Sequence, residues 1–436
     1  MPATMTTYHI ERPEKLRATV CLPASKSISN RALVISALSG GGATLQNLSD
    51  CDDTAVVIKA LELLRDSTAT GTSRTPVIDI KAAGTAMRFM TAFLAATPPP
   101  PSVAETIITG TERMKHRPIK VLVDALRHLG ADIAYEGEEG FPPLRIAGKR
   151  LEGGTLQVDG NISSQFISAL LLIGPVLRKG LTLRLTGDII SHSYIDLTLW
   201  TMREFGADAE WTAVDTIEVK PKPYTPRTYH VESDWSAASY WYEMVALTAD
   251  SEAEVRLQGL TDGSKQGDSS VRYIFSLLGV RSRFSSHKTG VPTTLTLTKS
   301  SNRVKRLEYD FENAPDLAQT IVCTCCALGI PFHFTGLQTL KIKETDRIEA
   351  LKTELLKLGF VLSDIGGREL VWNGERTTAP LHHAEPIDTY EDHRMALAFA
   401  PMALVMPISI RHPQVVSKSY PSYWDDLQQA GFSITE

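Results

Sequence analysis

The stretch Leu22-Pro23-Ala24-Ser25-Lys26-Ser27-Ile28-Ser29-Asn30-Arg31 joins two cations to three serines. Pro23 and the serines break any regular element, and from Asn30 onward Leu33, Val34, Ala37 and Leu38 share one face at helical spacing. Lys26, Ser27 and Arg31 therefore sit at or just before a helix N-terminus. Unpaired backbone N–H groups and the positive end of the helix dipole attract an anion there. The same residues also suit an ordinary serine-capped helix with two solvated cations. Recurrence along the chain favours the first reading.

Gly84-Thr85-Ala86-Met87-Arg88 opens a helix with a glycine that lets backbone approach a ligand. Arg113-Met114-Lys115-His116-Arg117-Pro118 puts basic groups before a helix whose first position suits Pro118. Ser163-Ser164-Gln165 opens the apolar helix 166–173, and Ser191-His192-Ser193-Tyr194 opens the helix that ends at Gly206. In the second half, Lys341-Ile342-Lys343-Glu344-Thr345-Asp346-Arg347 leads into a helix 348–358, with Thr345 or Asp346 as its cap. Glu391-Asp392-His393-Arg394 opens the apolar helix 395–404. Lys418 lies in Val416-Ser417-Lys418-Ser419-Tyr420-Pro421, and Asp316 follows Pro315. Each cluster alone is equally a solvated or ion-paired turn. Together they set Lys, Arg, Ser or Thr at six or more helix starts in both halves. That pattern suits a multiply anionic ligand, with phosphate plus carboxylate the natural pairing. Asp316, Glu344 and His393 are the candidate proton carriers among these clusters.

The elements that must position these groups follow a repeat. Helix patterns end in glycine at Gly130, Gly206, Gly279, Gly359 and Gly431, spaced 72 to 80 residues apart. Each glycine stands where a helix C-terminus favours a left-handed residue. Leu61-Glu62-Leu63-Leu64-Arg65 reads as a degenerate first copy. The spacing predicts six α/β units. Strands are expected over 43–48, 106–108, 181–185 and 294–298. Two groups of three units make two similar domains, with the crossing near Val231 to Ser233, just after the proline cluster 221–226. The other cluster, Pro98 to Pro101, reads as a stiff surface loop.

The chain has 436 residues, 43% hydrophobic, and a net charge of −5. That balance supports full cores and offers no global basic field for nucleic acid or membrane. Five cysteines lack zinc-site spacing. Cys323, Cys325 and Cys326 lie in an apolar run and are expected to be buried thiols of a reduced, intracellular protein. Met1 to Lys15 is polar, so no signal peptide is expected, and no apolar run is long enough to span a membrane.

Six segments, in order, resemble the signatures of the 5-enolpyruvylshikimate-3-phosphate synthase family. They are Leu22 to Ala32, Ala83-Gly84-Thr85-Ala86-Met87-Arg88, Arg117-Pro118-Ile119, Ser163-Ser164-Gln165-Phe166, Lys343-Glu344-Thr345-Asp346-Arg347 and Asp392-His393-Arg394-Met395-Ala396. The resemblance runs from about Leu22 to Tyr423. It implies an α/β fold of two similar domains, each of three βαβαββ-type units, with a ligand cleft between them, as in enolpyruvyl transferases. Residues 20–232 form the first domain, and 1–19 with 233–436 the second. It also implies transfer of the enolpyruvyl group of phosphoenolpyruvate to the 5-hydroxyl of shikimate 3-phosphate through a tetrahedral intermediate, with loss of phosphate. This is a step of aromatic amino acid biosynthesis.

By motif position, the resemblance assigns Ser27, Arg31, Ser163, Ser164, Ser191 and Tyr194 to shikimate 3-phosphate. Lys26, Gly84, Arg117, Gln165, Arg347, Arg394 and Lys418 surround phosphoenolpyruvate, with Lys26, Gln165 and Lys343 near both ligands. Asp316 also touches shikimate 3-phosphate and takes its hydroxyl proton. Glu344 works at C3, with His393 close by, and Lys26 shares the catalytic role. A monomeric cytoplasmic enzyme with no cofactor or metal is expected.

The chain departs from the family pattern at Ala82-Ala83, where the family has Asn-Ala or Asn-Ser, and at Thr339, where it has asparagine. Gly84 is retained, so sensitivity to glyphosate is expected. The related family that transfers enolpyruvate to UDP-N-acetylglucosamine carries a reactive cysteine before its arginine-proline motif. Here that loop is Thr111-Glu112-Arg113-Met114-Lys115-His116. A non-catalytic relative should have lost its acids, yet Asp316, Glu344 and His393 are all present.

Overall fold

In the strand Leu181–Thr186, Leu181, Leu183 and Leu185 are buried while Thr182, Arg184 and Thr186 face outward. This is the alternation of a strand with one face on a core. The strand pairs in parallel with Gly154–Asp159 and antiparallel with Thr216–Val219, which pairs antiparallel with Ala209–Ala213. Helix Ser164–Ile173 joins the two parallel strands, and helix His192–Glu204 leads on to the hairpin. The unit is therefore βαβαββ. The computed structural model containing it describes residues 6–70, 75–99, 103–288, 290–378 and 385–436.

Three more four-stranded sheets repeat the same spatial order. One holds Val77–Asp79, Thr106–Thr109, Leu144–Ala147 and Asp132–Tyr135. Another holds Arg17–Cys21, Glu254–Leu260, Thr293–Arg303 and Leu278–Phe284. A third holds Leu307–Asp310, Phe332–Thr335, Glu369–Trp372 and Ser363–Ile365. The last unit completes itself from the other end of the chain. Ile387 bridges Ile410 in parallel, Ile408–Arg411 pairs antiparallel with Thr7–Glu11, and that strand pairs with Ser433–Thr435. The first unit pairs Thr228–His230 in parallel with Thr44–Gln46.

The chain divides into two compact units, residues 24–231 and residues 1–23 with 232–436. Each has its own apolar core. In 24–231, the helices Lys26–Leu38, Gly84–Ala96 and Ser164–Ile173 pack on one another. In the other unit, helix Ala318–Leu328 packs against both Trp235–Leu247 and His393–Phe399. Apart from Lys26–Leu38, these helices are buried nearly all round, which is why apolar residues dominate their sequences. Cys51, Cys323, Cys325 and Cys326 are buried thiols, and Cys21 is exposed. Among the described residues no helix is long and apolar enough to cross a membrane.

Gly130, Gly206, Gly359 and Gly431, with φ between 81° and 98°, each directly follow a helix cap and occupy the left-handed position that the repeat pattern requires. Gly279, φ 92°, instead lies inside the strand Leu278–Phe284, where the pairing shifts register, two residues past the cap Leu277. Four further local expectations differ from the structure. The first helix begins at Lys26, capped by Ser25, four residues before Asn30; it buries Ile28 but also the polar Ser29, Asn30 and Arg31, so its first turns carry only a weak apolar signature. Residues 61–65 do not end a helix, because no glycine follows and Asp52–Thr70 runs on. Pro118 precedes the cap Ile119 rather than opening the helix Lys120–His128; residues Glu112–Lys115 form their own single turn, capped by Thr111. The strand expected over 43–48 is only Thr44–Gln46, since Asn47 turns to a φ of 55°. Of the proline cluster, Pro100 and Pro101 lie outside the described residues.

Candidate active site

In the unit 24–231, Ser25 caps the first helix by accepting from the Ile28 N–H, which places Lys26 and Ser27 in its first turn. Lys26 Nζ lies 3.1 Å from Asp53 Oδ2. Arg31, one turn on, is buried and tied to neighbouring helices. Its Nε donates to Thr198 Oγ1 at 2.8 Å, its Nη1 to the Ser27 carbonyl at 2.8 Å, and its Nη2 to the Tyr194 carbonyl at 3.2 Å and Ser168 Oγ at 3.3 Å. Burial pushes the Arg31 pKa down to about 10. Four of its five N–H donors are thus committed to protein.

Gly84 begins its helix behind Ala83, which offers no side-chain cap. Its carbonyl accepts from Arg88 Nη1 at 2.9 Å. A Cβ at Gly84 would lie 2.6 Å from Arg117 Nη1, so the glycine is what lets Arg117 sit over this helix start. Ser163 caps the next helix by accepting from the Gln165 N–H, and Gln165 Nε2 donates to Thr85 Oγ1 at 3.1 Å. Ser191 precedes helix His192–Glu204 in a left-handed conformation, φ 59°, without a side-chain cap bond. The structure therefore links the Arg31, Ser168 and Tyr194 groups to one another, and Gly84, Thr85, Arg117 and Gln165 likewise.

In the other unit, charge converges on Arg347, at the first position of helix Arg347–Lys357. Its Nε donates to Asp392 Oδ2 at 2.7 Å, Nη1 to Asp316 Oδ1 at 3.0 Å and Nη2 to Glu344 Oε2 at 2.9 Å. Burial alone lowers the pKa of this guanidinium, but Asp392, Glu344 and Asp316 outweigh it and hold the group well above its usual value. Asp316 also meets Arg394 Nη2 at 2.9 Å and Lys343 Nζ at 3.6 Å, and Lys418 Nζ lies 4.0 Å from Glu344 Oε1. Asp392 caps the helix of Arg394 by accepting from its N–H at 2.9 Å, and lies 3.7 Å from His393 Nδ1. Asp316, Glu344, Lys343 and Lys418 keep 15–25% of their side chains exposed while Arg347 and Asp392 are buried. The cluster is thus a buried scaffold with an accessible rim of acids and cations, suited to proton transfer beside an anion. Lys418 ends the 3-10 helix Pro413–Lys418 rather than beginning one. Among the described residues no three His, Cys, Asp or Glu side chains group so as to hold a metal ion.

The family model described as EPSP synthase (3-phosphoshikimate 1-carboxyvinyltransferase) matches residues 10–427. A 3-phosphoshikimate 1-carboxyvinyltransferase of Bacteroides fragilis is 55% identical over 431 residues, 98% of each chain. The chain belongs to the EPSP synthase family. Its fold is also that of solved members: an EPSP synthase from Acinetobacter baumannii superposes with a TM-score of 0.75 at 20% identity, covering 99% of this chain and 100% of that one. The enolpyruvyl transferase NikO from Streptomyces tendae gives 0.68 at 15% identity, with 98% coverage of each.

Several groups that complete these clusters went unread in the sequence. Asp53 shares the first turn of its helix with Asp52, an ordinary dipole-favoured placement that names no partner. Asp392 was visible only as one member of a charged quartet, yet it braces Arg347 and caps the helix of Arg394. The start of Trp235–Leu247, with Asp234 as cap and Ser236 touching Arg394, carries no cation to mark it.

Proposed function

We infer that this chain transfers the enolpyruvyl group of phosphoenolpyruvate to the 5-hydroxyl of shikimate 3-phosphate, as its family's activity directs. It is an enzyme of the shikimate pathway and of aromatic amino acid biosynthesis. The observation that carries the reading of its chemistry is the Arg347 cluster, where Asp316 and Glu344 stand within ion-pair distance of one guanidinium.

The reaction needs a base for the hydroxyl, an acid for C3, and cations for phosphate and carboxylate. Asp316 accepts the hydroxyl proton as the oxygen attacks C2, and Glu344 delivers a proton to C3, turning the methylene into a methyl group. The tetrahedral intermediate then breaks its C2–O bond, the electron pair leaving with phosphate, which takes up the proton held by Asp316. Glu344 takes a proton back from C3, and the enol ether forms. His393, 3.7 Å from Asp392, supports the acid side. Lys343, Arg347, Arg394 and Lys418 offset the negative charge of phosphoenolpyruvate and of the departing phosphate, together with Lys26, Gly84, Arg117 and Gln165. Ser27, Arg31, Ser163, Ser164, Ser191 and Tyr194 orient shikimate 3-phosphate. For Arg31, whose donors are largely committed, this works through the Ser27 and Tyr194 backbone it holds. In this reading the domain 24–231 mainly binds shikimate 3-phosphate. The other domain supplies the acids and much of the phosphoenolpyruvate site. The cytoplasm is the proposed location, in keeping with five unpaired thiols, and the enzyme is proposed to act as a monomer.

The test is phosphate release from phosphoenolpyruvate, with and without shikimate 3-phosphate, and with UDP-N-acetylglucosamine as control acceptor. Release that depends on shikimate 3-phosphate supports the reading. Release only with the nucleotide sugar overturns the acceptor, and release with neither overturns the activity.

A further inference from the structure

Asp268 lies in the short 3-10 helix Gly267–Ser270, away from every motif discussed above, and is only 7% exposed. Its Oδ2 accepts from the Ser236 hydroxyl. Ser236 Oγ in turn lies 3.4 Å from Arg394 Nη2, the nitrogen that sits 2.9 Å from Asp316 Oδ2. The other terminal nitrogen, Nη1, donates to the Asp316 carbonyl at 3.2 Å and to Tyr240 Oη at 3.3 Å. A serine hydroxyl has one proton. While that proton points to Asp268, the oxygen lone pairs face Arg394, and the contact is attractive.

We propose that Asp268, acting through the Ser236 hydroxyl, is a positioning residue that helps fix the plane of the Arg394 guanidinium beside Asp316, so that it can serve an incoming anion. The inference rests on the reading of Arg394 and Asp316 given above. Without the Ser236 acceptor, the Nη2 edge of the guanidinium loses one of the contacts that set its plane. Arg394 then meets an incoming anion less well aligned.

Asp316 and Asp234 are like-charged neighbours of Asp268 and Arg394 is the opposing cation. Asp234 Oδ1 is occupied in capping the Ser236 N–H at 2.8 Å. Arg272, on the helix that follows, is paired with Asp262 at 2.9 Å. Burial, then the charge of Asp316, push the Asp268 carboxyl up to about 7, against the pull of Arg394. Above that pH the carboxylate claims the Ser236 proton and the arrangement holds. Below it the carboxyl's own proton competes for Ser236 Oγ, and the hold on Arg394 loosens.

The experiment compares the wild type with Asp268→Asn, Ser236→Ala and the double variant in steady-state kinetics from pH 6 to 8. Expected is a rise in KM for phosphoenolpyruvate of about fivefold at pH 8 in each single variant, the size of one hydrogen bond. KM for shikimate 3-phosphate stays unchanged. The double variant is no worse than the poorer single, because both break one chain of contacts. The difference between wild type and Asp268→Asn narrows toward pH 6; the titration of phosphoenolpyruvate itself is common to both. An unchanged KM for phosphoenolpyruvate at pH 8 overturns the proposal. So does a parallel rise in both KM values that tracks a lowered unfolding midpoint, which marks a merely structural role. A wild type without turnover overturns the reading of the reaction instead. The same ratios, measured then as calorimetric affinity for phosphoenolpyruvate in the presence of shikimate 3-phosphate, decide Asp268 separately.

Discussion

Arg347 and Asp392 form a two-point ion pair with almost no solvent contact: Nε donates to Oδ2 at 2.7 Å and Nη2 to Oδ1 at 3.2 Å. Asp392 thereby fixes the plane of a guanidinium whose remaining donors reach Asp316 and Glu344. Arg347→Ala strands a buried carboxylate, and the expected cost is about 3–5 kcal/mol of stability. Arg347→Lys keeps the charge but loses the planar fork that meets three acids at once. It is expected to lower kcat/KM by roughly a hundredfold or more. Urea unfolding and steady-state kinetics check both. A lysine variant with wild-type kcat/KM would show that the geometry of the fork is irrelevant.

At Gly84, an added methyl group has nowhere to go. The new Cβ stands 2.6 Å from Arg117 Nη1 and 3.0 Å from Arg88 Nη1, and Arg88 is anchored on the Gly84 carbonyl. Arg117 is the group that must yield. Gly84→Ala is expected to raise KM for phosphoenolpyruvate and the inhibition constant for glyphosate together, each by up to about a hundredfold, the cost that misplacement by an ångström can carry. The wild type is expected to be inhibited by glyphosate. A variant that loses inhibition while its KM stays fixed contradicts displacement of Arg117 as the cause.

The helix starts at Lys26, Gly84 and Ser163 were legible because chemistry and capping use the same few residue types over four or five consecutive positions. The repeat was legible because a left-handed C-terminal position leaves a glycine at regular intervals, as at Gly130 and Gly206. Thr7–Glu11 could not be placed by the same means. Its partner Ile408–Arg411 lies some four hundred residues away, and strand pairing at that distance leaves no local periodicity. Charge pairing failed to show for the same reason. Asp53 meets Lys26 and Asp392 meets Arg347 across separate elements, whereas sequence spacing reports only neighbours on one helix. The first turn of the Lys26 helix was hidden by the opposite problem, polar side chains that the fold buries.

The Thr339 hydroxyl is buried with no hydrogen-bond partner among the described residues. A hydroxyl that makes no bond contributes only its desolvation cost. Thr339→Val, which keeps the shape, is expected to leave stability unchanged or raise it by up to about 1 kcal/mol, with kcat/KM within about twofold of the wild type. Unfolding midpoints and kinetics on the same preparations test this. A fall of several degrees in the midpoint means that the hydroxyl has a partner in solution.

Glu243 sits inside helix Trp235–Leu247, fully buried, and neither carboxylate oxygen makes a hydrogen bond of good geometry. The nearest hydroxyl able to favour its ionised form, that of Thr324, already donates to the Thr320 carbonyl at 2.7 Å. Burial therefore raises the Glu243 pKa well above the usual glutamate range, and the folded protein holds the group neutral. The unfolded chain ionises it at its ordinary pKa. Between those two values the folded state binds one more proton than the unfolded state. Stability from this residue is thus fully present below the ordinary glutamate pKa and is lost as pH rises, at about 1.4 kcal/mol per pH unit. Glu243→Gln removes the titration while keeping the shape. Its stability relative to the wild type is expected to increase steadily from pH 5 to pH 7, measured by urea unfolding at three or more pH values. A pH-independent difference means that the folded protein ionises Glu243 at its ordinary pKa.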